Sequence, residues 1–167
     1  PYGKTFKNRK RHSPESVKLA KTIADESTVL LKNENQLLPL DAKSLKSIAI
    51  IGPNADQVQF GDYTWSRNNK DGVTPLQGIK NRVNKNTAIH YAKGCSLTSL
   101  DTSGIAEAVE AAKNSEVAVI FGGSASAALA RDYKSSTCGE GFDLNDLNLT
   151  GAQSQLIREV YRTGTPR

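Results

Sequence analysis

Cysteine and histidine are scarce in this sequence of 167 residues, which contains two of each. Cys95 and Cys138 are too few for a disulfide framework, and they leave open either one bridge in an oxidising compartment or two buried thiols. His12 and His90 are too few and too far apart for a zinc site or a Ser–His–Asp arrangement. The sequence therefore gives no sign of metal binding or of serine-hydrolase chemistry.

Long apolar runs are missing as well. No stretch approaches the ~20 consecutive apolar residues that a membrane-spanning helix needs, so we expect no membrane partner. The opening segment, PYGKTFKNRKRH, has neither an apolar core nor a small-residue cleavage site, and we expect no secretory signal within this sequence. The length is sufficient for one domain with a core of its own.

The net charge of +5 is concentrated near the N-terminus. Five cations precede the first acidic residue, Glu15: Lys4, Lys7, Arg9, Lys10 and Arg11. A basic arm of this kind can bind phosphates, whereas a solvated linker between two domains has the same composition. Because Tyr2 and Phe6 flank the dense part of the run, from Lys7 to Arg11, and do not alternate with its cations to stack on bases, the linker is favoured and nucleic acid is not expected as a partner.

Helical and strand patterns alternate along the rest of the chain. Strands are predicted in three short apolar runs, SIAIIGP, TAIHYAKG and VAVIFGG. Helices are predicted over 13–33, 74–83, 105–112 and 150–164, with capping signals at Ser13, at Thr74 with Gln77, and at Thr150 with Gln153. This alternation indicates βαβ units and a parallel sheet. A helix followed by Thr-Gly-Thr-Pro normally leads into another strand, so we expect the sheet to be cut short at its C-terminus.

Two long segments have neither a helical nor a strand pattern. They cover residues 54–73 and 123–149, and they follow the first and the third predicted strand. Loops of this length are uncommon in compact domains and are usually functional. Open α/β sheets bind ligands outside the carboxyl ends of their strands, and both loops leave those ends. The functional site is therefore expected at this edge of the sheet.

The second loop contains a carboxylate between two glycines, Glu140 in the string GEGFD. Glycines let a loop reach into a neighbouring cleft, and a carboxyl group delivered there can act as a general acid. The alternative interpretation is an ordinary surface turn. Asp143 and Asp146 also have two interpretations, as functional groups or as residues that support the loop through backbone hydrogen bonds.

The first loop contains Asp62, Tyr63 and Trp65. Exposed aromatic rings beside charged groups suit a sugar, whose ring stacks on them while its hydroxyls bond to the charges. The alternative is that Trp65 packs in the core. Dinucleotide binding is rejected, because Pro53 displaces the second glycine of the expected turn and no helix begins there.

Several motifs together resemble glycoside hydrolase family 3. The strings AKTIADESTVLLKNENQLLPL and SIAIIGPNAD resemble the junction at which these enzymes leave their barrel domain and enter the α/β sandwich domain. VTPLQGIK, YAKGC, IAEAVEAAKNSEVAVIFGG and GEGFD…DLNLTGAQSQLI follow in the family's order and spacing. The resemblance covers practically the whole chain and is closest to the bacterial β-glucosidase and β-xylosidase branch. It implies a three-layer α/β/α sandwich with a mostly parallel sheet over residues 15–167, and a tail of the barrel domain over 1–14.

The resemblance also implies a retaining mechanism that needs no cofactor. An aspartate on the barrel domain attacks the anomeric carbon, and a glutamate from the second domain protonates the leaving oxygen. In GEGFD that glutamate is Glu140. Asp143 and Asp146 match positions that shape the same loop, while Asp62, Tyr63 and Trp65 match a loop that borders the sugar pocket. The implied partners are a β-glycoside or oligosaccharide and the barrel domain, and the implied location is periplasmic or secreted.

Some positions depart from the family pattern. No Asp-Trp pair corresponds to the family's nucleophile, and the Lys-His pair that grips the sugar is missing. Leu144 stands where relatives usually have arginine, and Thr150 stands where they usually have proline. We therefore expect the chain to be a fragment that is inactive alone. A non-catalytic carbohydrate-binding or interaction domain of the same fold is the alternative function.

Overall fold

A computed structural model describes residues 13–61, 63, 72–126, 136–141 and 143–166. The chain forms two compact units, of which the first ends at Leu38 and the second begins at Pro39. The described part of the first unit contains helix α1, Pro14–Ser27, and a short 3-10 turn, Glu34–Gln36. The assignment of residues 1–14 to a barrel domain falls almost entirely outside the described residues and stays a prediction.

Helix α1 begins as predicted but ends earlier. The Ser13 hydroxyl accepts a hydrogen bond from the Ser16 N–H at 3.2 Å, and Pro14 occupies the first turn. The expected end near Asn33 is wrong, because the helix stops at Ser27. The hydroxyls of Ser27 and Thr28 donate to the Ala24 carbonyl at 3.0 and 3.2 Å, and Thr28 thereby occupies the acceptor that its own N–H would use in a continued helix.

The second unit is built on three parallel strands, as predicted. They are β1, Ser47–Ile51; β2, Ala88–Ala92; and β3, Val117–Ile120, in the order β2-β1-β3. In the register, Ala49 of the central strand lies beside His90 on one side and Ala118 on the other. A central parallel strand is covered on both faces, which explains why β1 is a continuous apolar run with four buried residues.

Three helices flank this sheet in the described residues: α2, Pro75–Arg82; α3, Ile105–Lys113; and α4, Gln153–Arg162. Helix α3 packs on β1, β2 and α4, and the apolar stripe predicted for it is buried at Ile105, Ala108 and Ala112. The connection from β1 through α2 to β2 and the connection from β2 through α3 to β3 run in opposite directions along the sheet. Right-handed connections therefore place α2 and α3 on opposite faces. The result is the predicted α/β sandwich.

The two remaining capping predictions have different outcomes. Thr74 caps α2, since its hydroxyl accepts from the Gln77 N–H at 3.1 Å, although the Gln77 side chain donates to Asn81 rather than reaching back. The capping box at Thr150 is wrong: α4 begins at Gln153 and has no side-chain cap. The Thr150 hydroxyl instead donates to the Leu97 carbonyl at 2.7 Å, because this segment is held by the loop after β2.

The chain after α4 returns to the edge of β3, where the Pro166 carbonyl accepts a hydrogen bond from the Ala118 N–H at 2.8 Å. Within the described residues, no helix has both the length and the apolar character that crossing a membrane requires.

Candidate functional site

The chain leaves the three strands at one edge of the sheet, and backbone hydrogen bonds join the segments there. The Gly52 N–H donates to the Ala92 carbonyl at 3.1 Å, and the Asn54 N–H donates to the Phe121 carbonyl at 3.1 Å. The turn after β1 is thus bonded to the last residue of β2 and to the first residue after β3. The prediction that both long loops begin at the same edge is confirmed.

Gly52 allows this close approach. Its φ is +117°, and a Cβ at this position would lie 2.3 Å from the Phe121 carbonyl oxygen. Both the backbone conformation and the available space therefore exclude a side chain. The glycine that follows β1 brings the loop exits together and does not mark a dinucleotide site.

A cavity of about 280 Å³ opens at this edge. Its lining is mixed: polar side chains from the segments that follow all three strands alternate with the apolar side chains of Pro53, Val58, Leu97 and Ala125. The lining residues include Pro53, Gln57 and Gln59 after β1, Lys93, Ser96 and Leu97 after β2, and Ala125, Ser126 and Ser136 after β3. Ligand pockets typically measure roughly 300–1,000 Å³, so this cavity suits one small polar molecule or part of a larger one.

One buried atom of a residue that lines the cavity lacks a hydrogen-bond partner among the described residues. The Ser126 hydroxyl oxygen is buried and makes no hydrogen bond there. Buried polar groups are nearly always hydrogen-bonded, and one that is not costs free energy.

The two arms of the second long loop are joined at Ala125 and Thr137. The Thr137 N–H donates to the Ala125 carbonyl at 2.9 Å, and the Thr137 hydroxyl accepts from the Ala125 N–H at 2.9 Å. Ser126 and Cys138 form an isolated parallel bridge next to these bonds. Ser136 and Thr137 are each 4% exposed, so the junction is buried although the loop that it closes is long.

Glu140 lies three residues beyond Thr137, on an exposed turn. The two flanking glycines have positive φ, +148° at Gly139 and +74° at Gly141. Side-chain-bearing residues rarely adopt these conformations, so this backbone path favours glycine at both positions. The carboxylate is thus carried on a turn fixed by its glycines, a short distance along the chain from the cavity wall at Ser136.

The structure describes three of the other predicted site residues, Asp143, Asp146 and Tyr63. Asp143 is exposed, and the Asp146 carboxylate accepts from the Asn148 N–H at 2.7 Å in a local turn, which is the supporting arrangement that the sequence allowed. Tyr63 is 84% exposed. Asp62 and Trp65 lie outside the described residues, and their roles stay predictions.

Gln153 is the residue that sequence reasoning misjudged. It was expected to cap α4, but its side chain is buried, with 1% exposure. Its amide oxygen accepts from the Gly123 N–H at 2.8 Å, while its amide nitrogen donates to the carbonyls of Gly123 at 3.0 Å and Thr150 at 3.2 Å. A signal was present: Gln153, Leu156 and Val160 form the buried stripe of α4, and a polar residue in such a stripe needs partners.

Both cysteines are free thiols in this structure. Burial raises the pKa of the Cys95 thiol, an effect that the nearby Lys93 ammonium partly opposes. Cys138 is half-buried beside Ala125, at the junction of the second loop. Of the two arrangements that the sequence left open, the structure has the unbridged one. No three potential metal-ligating side chains come together in the part of the chain that the structure describes.

Comparison with known families gives one match over most of the chain. The family described as glycosyl hydrolase family 3 C-terminal domain matches residues 28–167. The matched region includes the whole second unit, with its cavity and the Glu140 turn.

Similar proteins carry names from the same group. A β-xylosidase from Formosa agariphila is 39% identical over 91% of this chain, and the periplasmic β-glucosidase of Salmonella typhimurium is 35% identical over 89%. A solved family 3 exo-β-xylosidase, in complex with a xylobiose aziridine activity-based probe, superposes with a TM-score of 0.71 at 33% identity, over 91% of this chain. The chain spans 21% of the length of each curated relative and 18% of that solved chain.

Proposed function

Because this chain belongs to glycoside hydrolase family 3, whose C-terminal domain it matches over residues 28–167, we propose that its parent protein is a retaining, exo-acting β-glycosidase. The parent hydrolyses terminal β-linked sugars in the manner of a β-glucosidase, and this domain supplies the general acid and base, Glu140. The names of the relatives, β-xylosidase and β-glucosidase, support glucose or xylose as the sugar. The proposed location is periplasmic or secreted.

The observation that carries the proposal is the position of Glu140. It lies on a turn that its two glycines shape, three residues from a buried junction, at the edge where open α/β sheets bind ligands. Its side chain is exposed in this chain, so a second surface is needed to enclose a substrate against it. In the proposal the barrel domain is that surface.

The chemistry divides between the two domains. A carboxylate on the barrel domain attacks the anomeric carbon, while Glu140 donates its proton to the departing glycosidic oxygen. Glu140 then accepts a proton from the water that hydrolyses the covalent intermediate. Retention requires the two carboxyl groups to lie about 5–5.5 Å apart. Neither step needs a metal or an organic cofactor.

Glu140→Gln in the full-length parent tests the acid role. The substitution removes proton donation, so kcat/KM should fall by a factor of roughly 10²–10⁴ for glycosides with poor leaving groups. Activated aryl glycosides need little protonation and should lose much less in the glycosylation step. Glu110→Gln, which alters an exposed glutamate on α3, is the matched control and should leave both substrates unaffected. Equal losses on both substrate classes would refute the assignment.

The isolated chain should be inactive, because its sequence has no counterpart of the family's nucleophile. An assay of the 167-residue chain on an aryl β-glucoside or β-xyloside should give the buffer rate, with the intact parent as the positive control. Turnover above buffer would show that the nucleophile is not supplied by another domain.

The alternative is a non-catalytic carbohydrate-binding or interaction domain, which the polar cavity favours. Titration calorimetry of the chain with glucose and xylose would measure binding, and Ser126→Ala would identify the cavity as the site. An Asp-Trp-containing sequence upstream of the chain would favour the enzyme instead.

A further inference from the structure

One buried amide holds both ends of the segment that carries Glu140. Gln153 bonds to the N–H and the carbonyl of Gly123, where the chain leaves β3, and to the carbonyl of Thr150, where it returns to α4. The Gly123 contacts span 30 residues of sequence. The same amide nitrogen also lies 3.4 Å from the Leu97 carbonyl in the loop after β2. Segments after two different strands therefore meet at one side chain.

The path from this amide to Glu140 is short and hydrogen-bonded. Gly123 is two residues from Ala125, whose N–H and carbonyl both bond to Thr137, and Thr137 is three residues from Glu140. The hydrogen-bonded links, Gln153 to Gly123 and Ala125 to Thr137, are partly buried, and short stretches of backbone join them to each other and to Glu140. A displacement of Gly123 would therefore be transmitted to the turn through the junction of the two loop arms.

We propose that Gln153 is a positioning residue for the acid/base turn, an inference that rests on the proposed function of Glu140. The role requires a side chain as long as glutamine, with one terminal atom that accepts a hydrogen bond and another that donates. A methionine has similar length but provides no donor and only a weak sulfur acceptor. A glutamate keeps the acceptor for Gly123, but only its protonated form can donate to a carbonyl.

The test is kinetic and uses the full-length parent. Gln153→Met should lower kcat/KM at least tenfold for glycosides with poor leaving groups and by less than threefold for activated aryl glycosides. This is the pattern of Glu140→Gln in a weaker form. Gln155→Met is the matched control, because Gln155 lies on the same helix with an exposed side chain, and it should leave both rates unchanged.

Two further variants separate positioning from general damage to the fold. Gly122→Ala leaves Gln153 in place, but its new Cβ would lie 3.1 Å from the amide oxygen and should produce the same selective loss to a smaller extent. Gln153→Glu should recover activity on poor leaving groups as the pH falls, relative to Gln153→Met, because its protonated carboxyl regains a donor. A purely structural role would show no such recovery.

The outcomes distinguish this inference from the function on which it rests. If Glu140→Gln shows no dependence on the leaving group, the acid role fails and the inference fails with it. If Glu140→Gln shows the dependence but Gln153→Met and Gly122→Ala lower both substrate classes equally, or change neither, only the positioning role of Gln153 is overturned.

Discussion

The carboxyl edge of the sheet has a buried base and exposed tips, and the two are built differently. At the base, Gly52, Thr137 and Gln153 are enclosed and bonded to segments distant in sequence. At the tips, Tyr63 and Glu140 are exposed. The residues predicted to touch a substrate lie at the exposed tips, and the buried base is built from polar contacts between segments. Substitutions in the two regions should therefore have separable effects.

The largest difference between base and tip is expected for glycine substitutions. Gly52→Ala combines an unfavourable φ with an overlap against the Phe121 carbonyl, and should lower the free energy of unfolding by about 2–5 kcal/mol. Gly141→Ala has a φ of +74° but open space around the new Cβ, so it should cost about 1–2 kcal/mol. Urea unfolding of the chain measures both. A larger loss at Gly141 would contradict the division into base and tip.

A medium effect is expected for the junction of the second loop. Thr137→Val keeps the shape of the side chain but leaves the Ala125 N–H without its acceptor, which should cost about 1–3 kcal/mol. Thr102→Val, at an exposed threonine before α3, should change stability by less than about 0.5 kcal/mol. Hydrogen exchange of the Ala125 amide provides a local readout and should accelerate in Thr137→Val alone. Unchanged exchange would show that the hydroxyl does not hold the junction.

The sequence predicted the regular elements and the edge of the site better than it predicted the base. The strands and the buried stripe of α3 follow from short-range periodicity, so Ile50 and Ala108 could be placed without tertiary information. The edge of the sheet that carries the site could also be predicted, because parallel strands all end on the same side of a sheet. The end of α1 was missed because it depends on whether the Thr28 hydroxyl or its N–H takes the Ala24 carbonyl, two alternatives close in free energy.

Gln153 was misjudged for a different reason. A Thr-x-x-Gln string is compatible with a local capping box. The string itself does not show that the carbonyls of Gly123 and Leu97, 30 and 56 residues away in sequence, lie beside this side chain. Tertiary partners outcompeted the local ones. The role of Glu140 follows from the resemblance and stays a prediction; the structure adds the reason for its two flanking glycines, since both backbone positions have positive φ.

The smallest expected effect concerns alkaline pH at the base, to which we also assign Cys95, a thiol 7% exposed in the segment after β2. Burial raises the pKa of Cys95 above its value in the unfolded chain, so the unfolded state loses this proton first as the pH rises. The stabilising contribution is complete below the unfolded pKa of about 8.5 and is lost as the pH rises through the folded value. Cys95→Ala should therefore lose less stability than the unsubstituted chain when the pH is raised across this interval.

Thermal unfolding of both proteins along a pH series measures the difference. The pKa of Tyr91 is also raised, by burial and by the nearby Asp56 and Glu107 carboxylates, so a decline at alkaline pH is expected in both proteins. Because Tyr91 is present in both, the difference between the two curves isolates the thiol. Parallel curves would mean that Cys95 titrates alike in the folded and unfolded chain, and its enclosure in the base would then have no electrostatic consequence.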